Sequence, residues 1–352
     1  MANSIIVSPK VKEPLYAVVP YFNPWRWKSR HKHALRALEH FHNSGAVIVL
    51  VEIAFNRREF ELQDLGLEGR SASCGVLGQD HRFRHRHIQL RTKDELWLKE
   101  NAINLGVAAL PYDWQQVCWL DADTHFLRPN WVGECIHKLQ HYSFLQMFSH
   151  AHDLGVEYQM LPGDYAQAHG EGFVESFQNG NLEAAIFSGY YASKARKLTV
   201  PRVWPGLAWA CTRQAWEHVG GLIDYAVWGG GDWHMAHALI GDPHKVMMLP
   251  SLHDNYRQLV KSWMERCDKH IRGNVGVMSG SIVHHWHGRK TDRGYNAKHS
   301  LLAKIQFDPL RHLKRDYQGL WQLQDDGSER FIRLRDTMRV IAKERNEDSI
   351  DE

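Results

Sequence analysis

Two runs near the start of the chain, Pro14–Pro20 (PLYAVVP) and Ala46–Ala54 (AVIVLVEIA), are almost wholly apolar. They lack the alternation of a sheet with one wet face, so each needs cover on both sides. Helices packed on a parallel sheet give that cover. Between the two runs, Trp25 to Asn43 carries Trp27, Leu35, Leu38 and Phe41 at helical spacing, and Gly45 stops it. Thr92 and Glu95 have the spacing of a capping box, which predicts a helix from there through Leu105. Val117–Leu120 (VCWL) is a third buried strand and delivers Asp121-Ala122-Asp123. Strand, helix, strand, helix, strand is the pattern of an α/β fold with a mostly parallel sheet.

Order is harder to read from about Ser149 to Pro205, where Gly, Gln, His and Asn break any periodicity; loops with short helices are expected. Gly206–Thr212 (GLAWACT) and Ser281–Trp286 (SIVHHW) read as further strands. Trp228-Gly229-Gly230-Gly231 leads into a helix from Asp232 to Ile240. From Ser300 to Ile341 the pattern is helical, and an acidic end follows that is expected to fray.

Composition excludes several classes. With 43% apolar and 24% charged residues, the chain is neither disordered nor fibrous. The longest uncharged stretches, such as Asn101–Tyr112, fall short of the ~20 residues a spanning helix needs, so no membrane partner is expected. The first residues, MANSIIVSPKVKEP, lack the apolar core of a signal peptide. Five scattered cysteines, Cys74, Cys118, Cys135, Cys211 and Cys267, form no CxxC pair. A cytoplasmic protein without disulfides or a thiolate zinc site is expected. The net charge of +3 hides a basic stretch, eleven Lys/Arg against four Asp/Glu from Arg266 to Asp316, offset by six against nine from Tyr317 onward.

Three groups of residues could carry chemistry. Asp121 and Asp123 follow a buried strand, where open parallel sheets bind ligands, and two carboxylates so placed suit a divalent cation. His284-His285-Trp286-His287 lies about 160 residues later; strand alternation puts His285 and His287 on one face and His284 on the other. An imidazole added to carboxylates favours Mn²⁺ over Mg²⁺. HxH also occurs at His31/His33, His85/His87 and His150/His152 among the 24 histidines, so that spacing alone is not informative. Asp232, after three glycines, is placed either to take a proton from an acceptor hydroxyl or to cap its helix.

Taken in order, VVPYFNP, VLVEIAF, LWLKENAINLGVAALP and CWLDADTHFLRPNW resemble the donor half of GT-A glycosyltransferases, about residues 14–130. GLAWACTRQAWEHVGGLIDYAVWGGGDWHMAHAL and SIVHHWHGRKTDRGY resemble the acceptor half, about 200–300, within a domain of 1–300 followed by a helical extension, 301–352. The chain is similar to family-2-like bacterial and large-phage members. The resemblance implies a nucleotide-sugar donor, usually UDP-linked, held through a divalent metal (Mn²⁺ or Mg²⁺). It implies Pro20, Tyr21, Phe22 and Glu52 at the nucleoside, Lys99 reaching the donor, and Asp121 and Asp123 at the metal. His287 is the third ligand it implies, with His284 or His285 as alternatives, and Arg289, Lys290 and Arg293 offset the diphosphate. Asp232 matches the base of inverting members, but the usual acidic pair is here Gly231-Asp232, with one carboxylate, which leaves stereochemistry open.

Some phage members glycosylate hydroxymethylated pyrimidines in DNA. The cation–aromatic segments Trp25–His33 and Arg82–His87, with Arg82, Arg84 and Arg86, favour such an acceptor. Trp209, Trp228 or Trp233 would then stack on an extruded base. A bacterial glycan acceptor, or an inactive nucleic-acid-binding scaffold, is the alternative.

Overall fold

In the computed structural model, the two apolar runs form neighbouring parallel strands, β1 (Tyr16–Phe22) and β2 (Val47–Phe55), in register from Tyr16↔Val47 to Phe22↔Ile53. The structure describes residues 13–62, 65–66, 82, 84–161, 169–183, 202–241, 251–289, 292, 301–324 and 327–350. Every residue of both strands is buried. Their side chains alternate between two cores. Tyr16, Val18 and Phe22 face one, while Ala17, Val19 and Tyr21 face the other.

Among the described residues, the central sheet has seven strands in the order β11-β6-β10-β4-β1-β2-β3. Here β3 is Arg86–Thr92, β4 Gln116–Leu120, β6 Phe144–Gln146, β10 Ala208–Thr212 and β11 Val275–Val277. Only β10 runs against its neighbours. On one face lie α1 (Lys28–Asn43) and α3 (Trp131–Lys138), through Phe41 and Trp131. The other face is covered by α2 (Lys99–Ala108), α5 (Arg213–Val219), α6 (Gly231–Leu239) and α7 (Asp254–His270). The segment after residue 300 shares that second core: α8 (Pro309–His312), the hairpin β13 (Leu313–Arg315)–β14 (Trp321–Leu323) and α9 (Glu329–Glu344) contribute Leu313, Leu323, Phe331, Leu334 and Met338. Among the described residues, no helix is long and apolar enough to cross a membrane.

Four readings of the sequence change. First, α1 starts at Lys28, because the Asn23 side chain accepts from the Trp27 amide at 3.0 Å and holds 23–27 as a turn. Second, the Thr92–Glu95 box does not form. Thr92 pairs with Phe55 in β3 and its hydroxyl accepts from the Asp94 amide, so α2 begins only at Lys99. Third, the unreadable middle contributes to a second, five-stranded sheet, β5-β12-β7-β8-β9. Its strands are β5 (Thr124–Phe126), β7 (His150–Asp153), β8 (His169–Gly172, followed by α4, Phe173–Gln178), β9 (Arg202–Trp204) and β12 (Ser281–His284). Strands of three or four residues, several bearing polar side chains, give no periodic signal. Fourth, the described part of the acidic end, through residue 350, is tied to the fold. Asp348 accepts from the Lys28 and Ser29 amides at 2.9 and 2.8 Å, at the start of α1.

One close approach fixes how α2 lies on the sheet. A Cβ on Gly106 would come within 2.6 Å of Val18 Cγ1 and 3.0 Å of Val51 Cγ2. Gly106→Ala therefore overpacks the core and is expected to destabilise the protein by about 1–3 kcal/mol, read as a lower midpoint in urea unfolding. An unchanged midpoint would contradict this packing.

Candidate metal and donor site

The Asp121-Ala122-Asp123 turn leaves the carboxyl end of β4. The Asp121 amide donates to Leu207 O at 2.9 Å, and the Thr124 hydroxyl donates to Asp121 O at 2.8 Å. The backbone of the turn is thus held from both sides, and its two carboxylates go to different partners. Asp121 meets Lys99 Nζ at 2.6 and 2.8 Å. Burial works against a charged Lys99, but Asp121 and then Asp232 outweigh it and hold the ammonium charged. Burial likewise raises Asp121, and Lys99 only partly offsets this.

Asp123 faces the histidines. Its Oδ2 lies 3.1 Å from His287 Nδ1 and 3.6 Å from His284 Nε2, and one atom from each of the three residues fits within 4.8 Å of the others. Among the described residues, this is the one group of three or more His, Cys, Asp or Glu so gathered. Burial alone would raise Asp123, but His284 and His287 hold it well below the usual carboxylate range. Its Oδ1 is shielded from solvent and has no hydrogen-bond partner among the described residues. A carboxylate with a spare buried oxygen beside two imidazoles fits a first-row divalent ion better than Mg²⁺.

The register of the second sheet orients one ligand. Strand β12 runs parallel to β7 with His284 opposite Asp153, and His284 Nδ1 meets Asp153 Oδ1 at 2.7 Å. A proton on Nδ1, donated to Asp153, leaves Nε2 aimed at Asp123, the carboxylate–histidine arrangement that fixes a ligand's tautomer. Burial works to lower His284, yet Asp123 and Asp153 push it up to about 9. Asp153 belongs to no motif, and its only signal in the sequence is its place at the end of HAHD.

The expected pairing of His285 with His287 is not what the structure shows. Strand β12 ends at His284, so alternation does not carry past it. The His285 amide donates to Asp123 O at 2.8 Å, and its ring turns away, to His125 Nδ1 at 3.1 Å and onto His33 at 5.0 Å between centroids. Burial, with His33 and His125, pushes His285 down to about 3. Asp121 is likewise drawn to Lys99 and stands outside the converging group, which is Asp123, His284 and His287.

A buried ion cluster backs the loop that carries His287. Glu347 is fully buried, 2.8 Å from Arg30 Nε and 3.0 Å from Arg345 Nε. Arg30 also donates to Phe22 O, and Trp286 Nε1 donates to Ser349 O at 2.8 Å. A side chain at Gly288, whose φ is +82°, would strike the backbone of Arg345 and Asn346. The chain's end thus packs directly on the histidine loop.

The remaining expected site residues divide. Pro20, Tyr21 and Phe22 are buried at the carboxyl end of β1. Tyr21 donates to Glu61, and Phe22 stands edge-on to Trp97 at 5.3 Å. Glu52 is committed to structure: it accepts from the Glu61 and Leu62 amides at 2.5 and 3.1 Å and pairs with His87 at 2.9 Å. Arg289 pairs with Asp292 at 3.2 Å, while Lys290 and Arg293 lie outside the described residues. Trp209 and Trp228 are core residues, 1% and 2% exposed, and cannot stack on a base. Trp233 is half-buried against Phe173 and His237. Arg82 lies 3.7 Å from Glu13, Arg86 donates to Ala109 O, and Arg84 is exposed. Asp232 sits in the first turn of α6, where its Oδ1 accepts from the Trp233 amide and its Oδ2 lies against Gly206. A larger cleft of about 420 Å³ lies near the other end of α2, between Trp114, Arg213 and Trp216. Its buried acid, Asp224, is already held by Asn104 and Arg315, so the cleft gathers no free chemistry.

No family model and no curated protein matches the chain. Three solved structures are similar to it. The catalytic domain of Drosophila β1,4-galactosyltransferase 7, in complex with xylobiose, is 10% identical over 90% of this chain and 96% of that one, with a TM-score of 0.33. A protein from Desulfovibrio desulfuricans G20 described as a nucleotide-diphospho-sugar transferase is 10% identical, covering 94% and 97%, with a TM-score of 0.33. S. aureus TarS (1–349) is 13% identical, covering 74% and 73%, with a TM-score of 0.29. Read from this chain alone, a mostly parallel sheet covered by helices, with an Asp-x-Asp turn at the end of β4, is consistent with the GT-A fold.

Glu347 makes a pH prediction. Burial raises a carboxyl, but Arg30 and Arg345 outweigh it and bring Glu347 down to about 2. A folded value below the ordinary 4.5 means that its stabilisation is complete above pH 4.5 and lost as pH falls toward 2. Glu347→Gln should cost about 3 kcal/mol at pH 7 and flatten the acid limb of a melting-temperature profile. A variant with the wild-type profile would show the cluster to be unimportant.

Proposed function

We propose that the chain is a metal-dependent glycosyltransferase that moves a sugar from a nucleotide-sugar donor, most simply a UDP-sugar, to a hydroxyl acceptor. The observation that carries this reading is the convergence of Asp123, His284 and His287 at the carboxyl end of β4, where open α/β sheets bind ligands. Those three residues would hold the ion, with Mn²⁺ favoured by the two imidazoles. When bound, a divalent cation neutralises the charge that develops on a departing diphosphate. Lys99, held charged beside Asp121, adds a second positive group at the same place. Pro20, Tyr21 and Phe22 line the end of β1 where a nucleoside would lie.

Asp232 is the base in this reading. The acceptor O–H proton passes to its carboxylate as the oxygen bonds to the anomeric carbon, and the carbon–oxygen pair of the donor leaves with the diphosphate. Asp123, His284 and His287 are all present and gathered together, which favours an active enzyme over an inactive nucleic-acid-binding scaffold. A hydroxymethylated pyrimidine in DNA loses its support. Arg30, Arg86, His85 and His87 have partners inside the protein, and two of the three candidate stacking tryptophans are in the core. A saccharide hydroxyl needs none of these groups and is the acceptor class we favour.

UDP release from a panel of UDP-sugars with Mn²⁺ tests the reading. Asp123→Ala or His287→Ala should lower turnover at least ~100-fold in a chain that still unfolds cooperatively well above the assay temperature, and EDTA should abolish it reversibly. Full activity in excess EDTA would overturn the metal assignment.

A further inference from the structure

The turn before α6 uses three glycines for two different reasons. Gly229 and Gly230 both have φ of +92°, which other residues rarely adopt. Gly231 is already helical, and its constraint is space. A Cβ there would come within 2.9 Å of Glu100 Cδ, 3.0 Å of its Cγ and 3.0 Å of Ile223 O. The Glu100 carboxyl, carried by the donor-side helix α2, thus occupies the volume that a side chain beside Asp232 would fill.

Glu100 is 5% exposed, and no other side chain among the described residues hydrogen-bonds or ion-pairs with its carboxyl. Lys99, Glu100, Gly206, Gly231 and Asp232 line one small cavity together. That cavity has one ammonium and, counting Asp121 bonded to the same lysine, three carboxyls. Three ionised carboxyls against one cation in a buried space is unfavourable, and one neutral acid relieves it. Burial and the neighbouring Asp232 and Asp121 push Glu100 up to about 8 against the pull of Lys99, which makes it the neutral member.

We propose that Glu100 supplies the second acid of the acceptor side, reaching across from the donor half into the space left by glycine at position 231. The inference rests on the transferase reading. Glu100 is a positioning residue: as a neutral acid it fills the cavity without adding charge beside Asp232, and it packs against the first turn of α6, which holds Asp232. Proton removal from the acceptor stays with Asp232.

The test uses the full chain with Mn²⁺ and the UDP-sugar from which the wild type releases UDP fastest, together with melting temperatures. Glu100→Ala is expected to lower kcat about tenfold with donor KM within twofold, and Glu100→Gln, neutral and of the same shape, to restore kcat to within about threefold. Gly231→Ala should lower the melting temperature of the wild type and cost less in the Glu100→Ala background, because the collision with Glu100 is gone and only the approach to Ile223 O remains. Wild-type kcat in Glu100→Ala, or an equal penalty for Gly231→Ala in both backgrounds, overturns the inference and leaves the transferase reading standing. A wild type that cleaves no donor overturns both.

Discussion

Two carboxylates separated by one residue repel each other at a half-buried strand end unless each has its own partner. At the end of β4 the fold provides this. Asp121 takes Lys99 from α2, and Asp123 takes His284 and His287 from β12 and the loop after it. Much of the architecture serves that separation. Helix α2 must lie close on the sheet, which Gly106 allows, and β12 must be in register with β7 so that Asp153 can orient His284. The chain's last residues pack behind the His287 loop, with Glu347 between Arg30 and Arg345. Residues more than 300 positions apart in sequence therefore bear on one site.

The parts of this that were legible in the sequence are those with local physical signatures. The apolar runs of β1, β2 and β4 have no wet face, so a doubly covered parallel sheet was readable, and with it the position of Asp121 and Asp123. The glycines before Asp232 marked a turn. Of the second sheet only β12 was legible, because strands such as HAHD and HGEG alternate nothing and are held by their neighbours. Nor was the choice among the histidines, which depends on where β12 stops. Asp153, Glu100 and Glu347 have no motif. Each is defined by a contact with a residue that is distant in sequence or, for Glu100, by the space a glycine leaves on another helix.

The basic segments illustrate the same limit with the opposite sign. Arg30 looks like one of a row of surface cations in Trp25–His33, yet it is half of a buried pair whose other member lies 317 positions away. Arg86 and His87 look like part of a nucleic-acid patch and instead bond Ala109 O and Glu52. Charge pattern reports which cations exist, and only the fold says which of them already have partners.

Asp123, His284 and His287 are proposed to hold a divalent cation at the end of β4. Anomalous diffraction at the manganese edge, from crystals of the full chain grown with Mn²⁺ and UDP, tests it most directly. One strong peak is expected within bonding distance of Asp123, His284 Nε2 and His287, with the diphosphate beside it. A peak elsewhere, or ordered UDP with no metal beside these three residues, would contradict it.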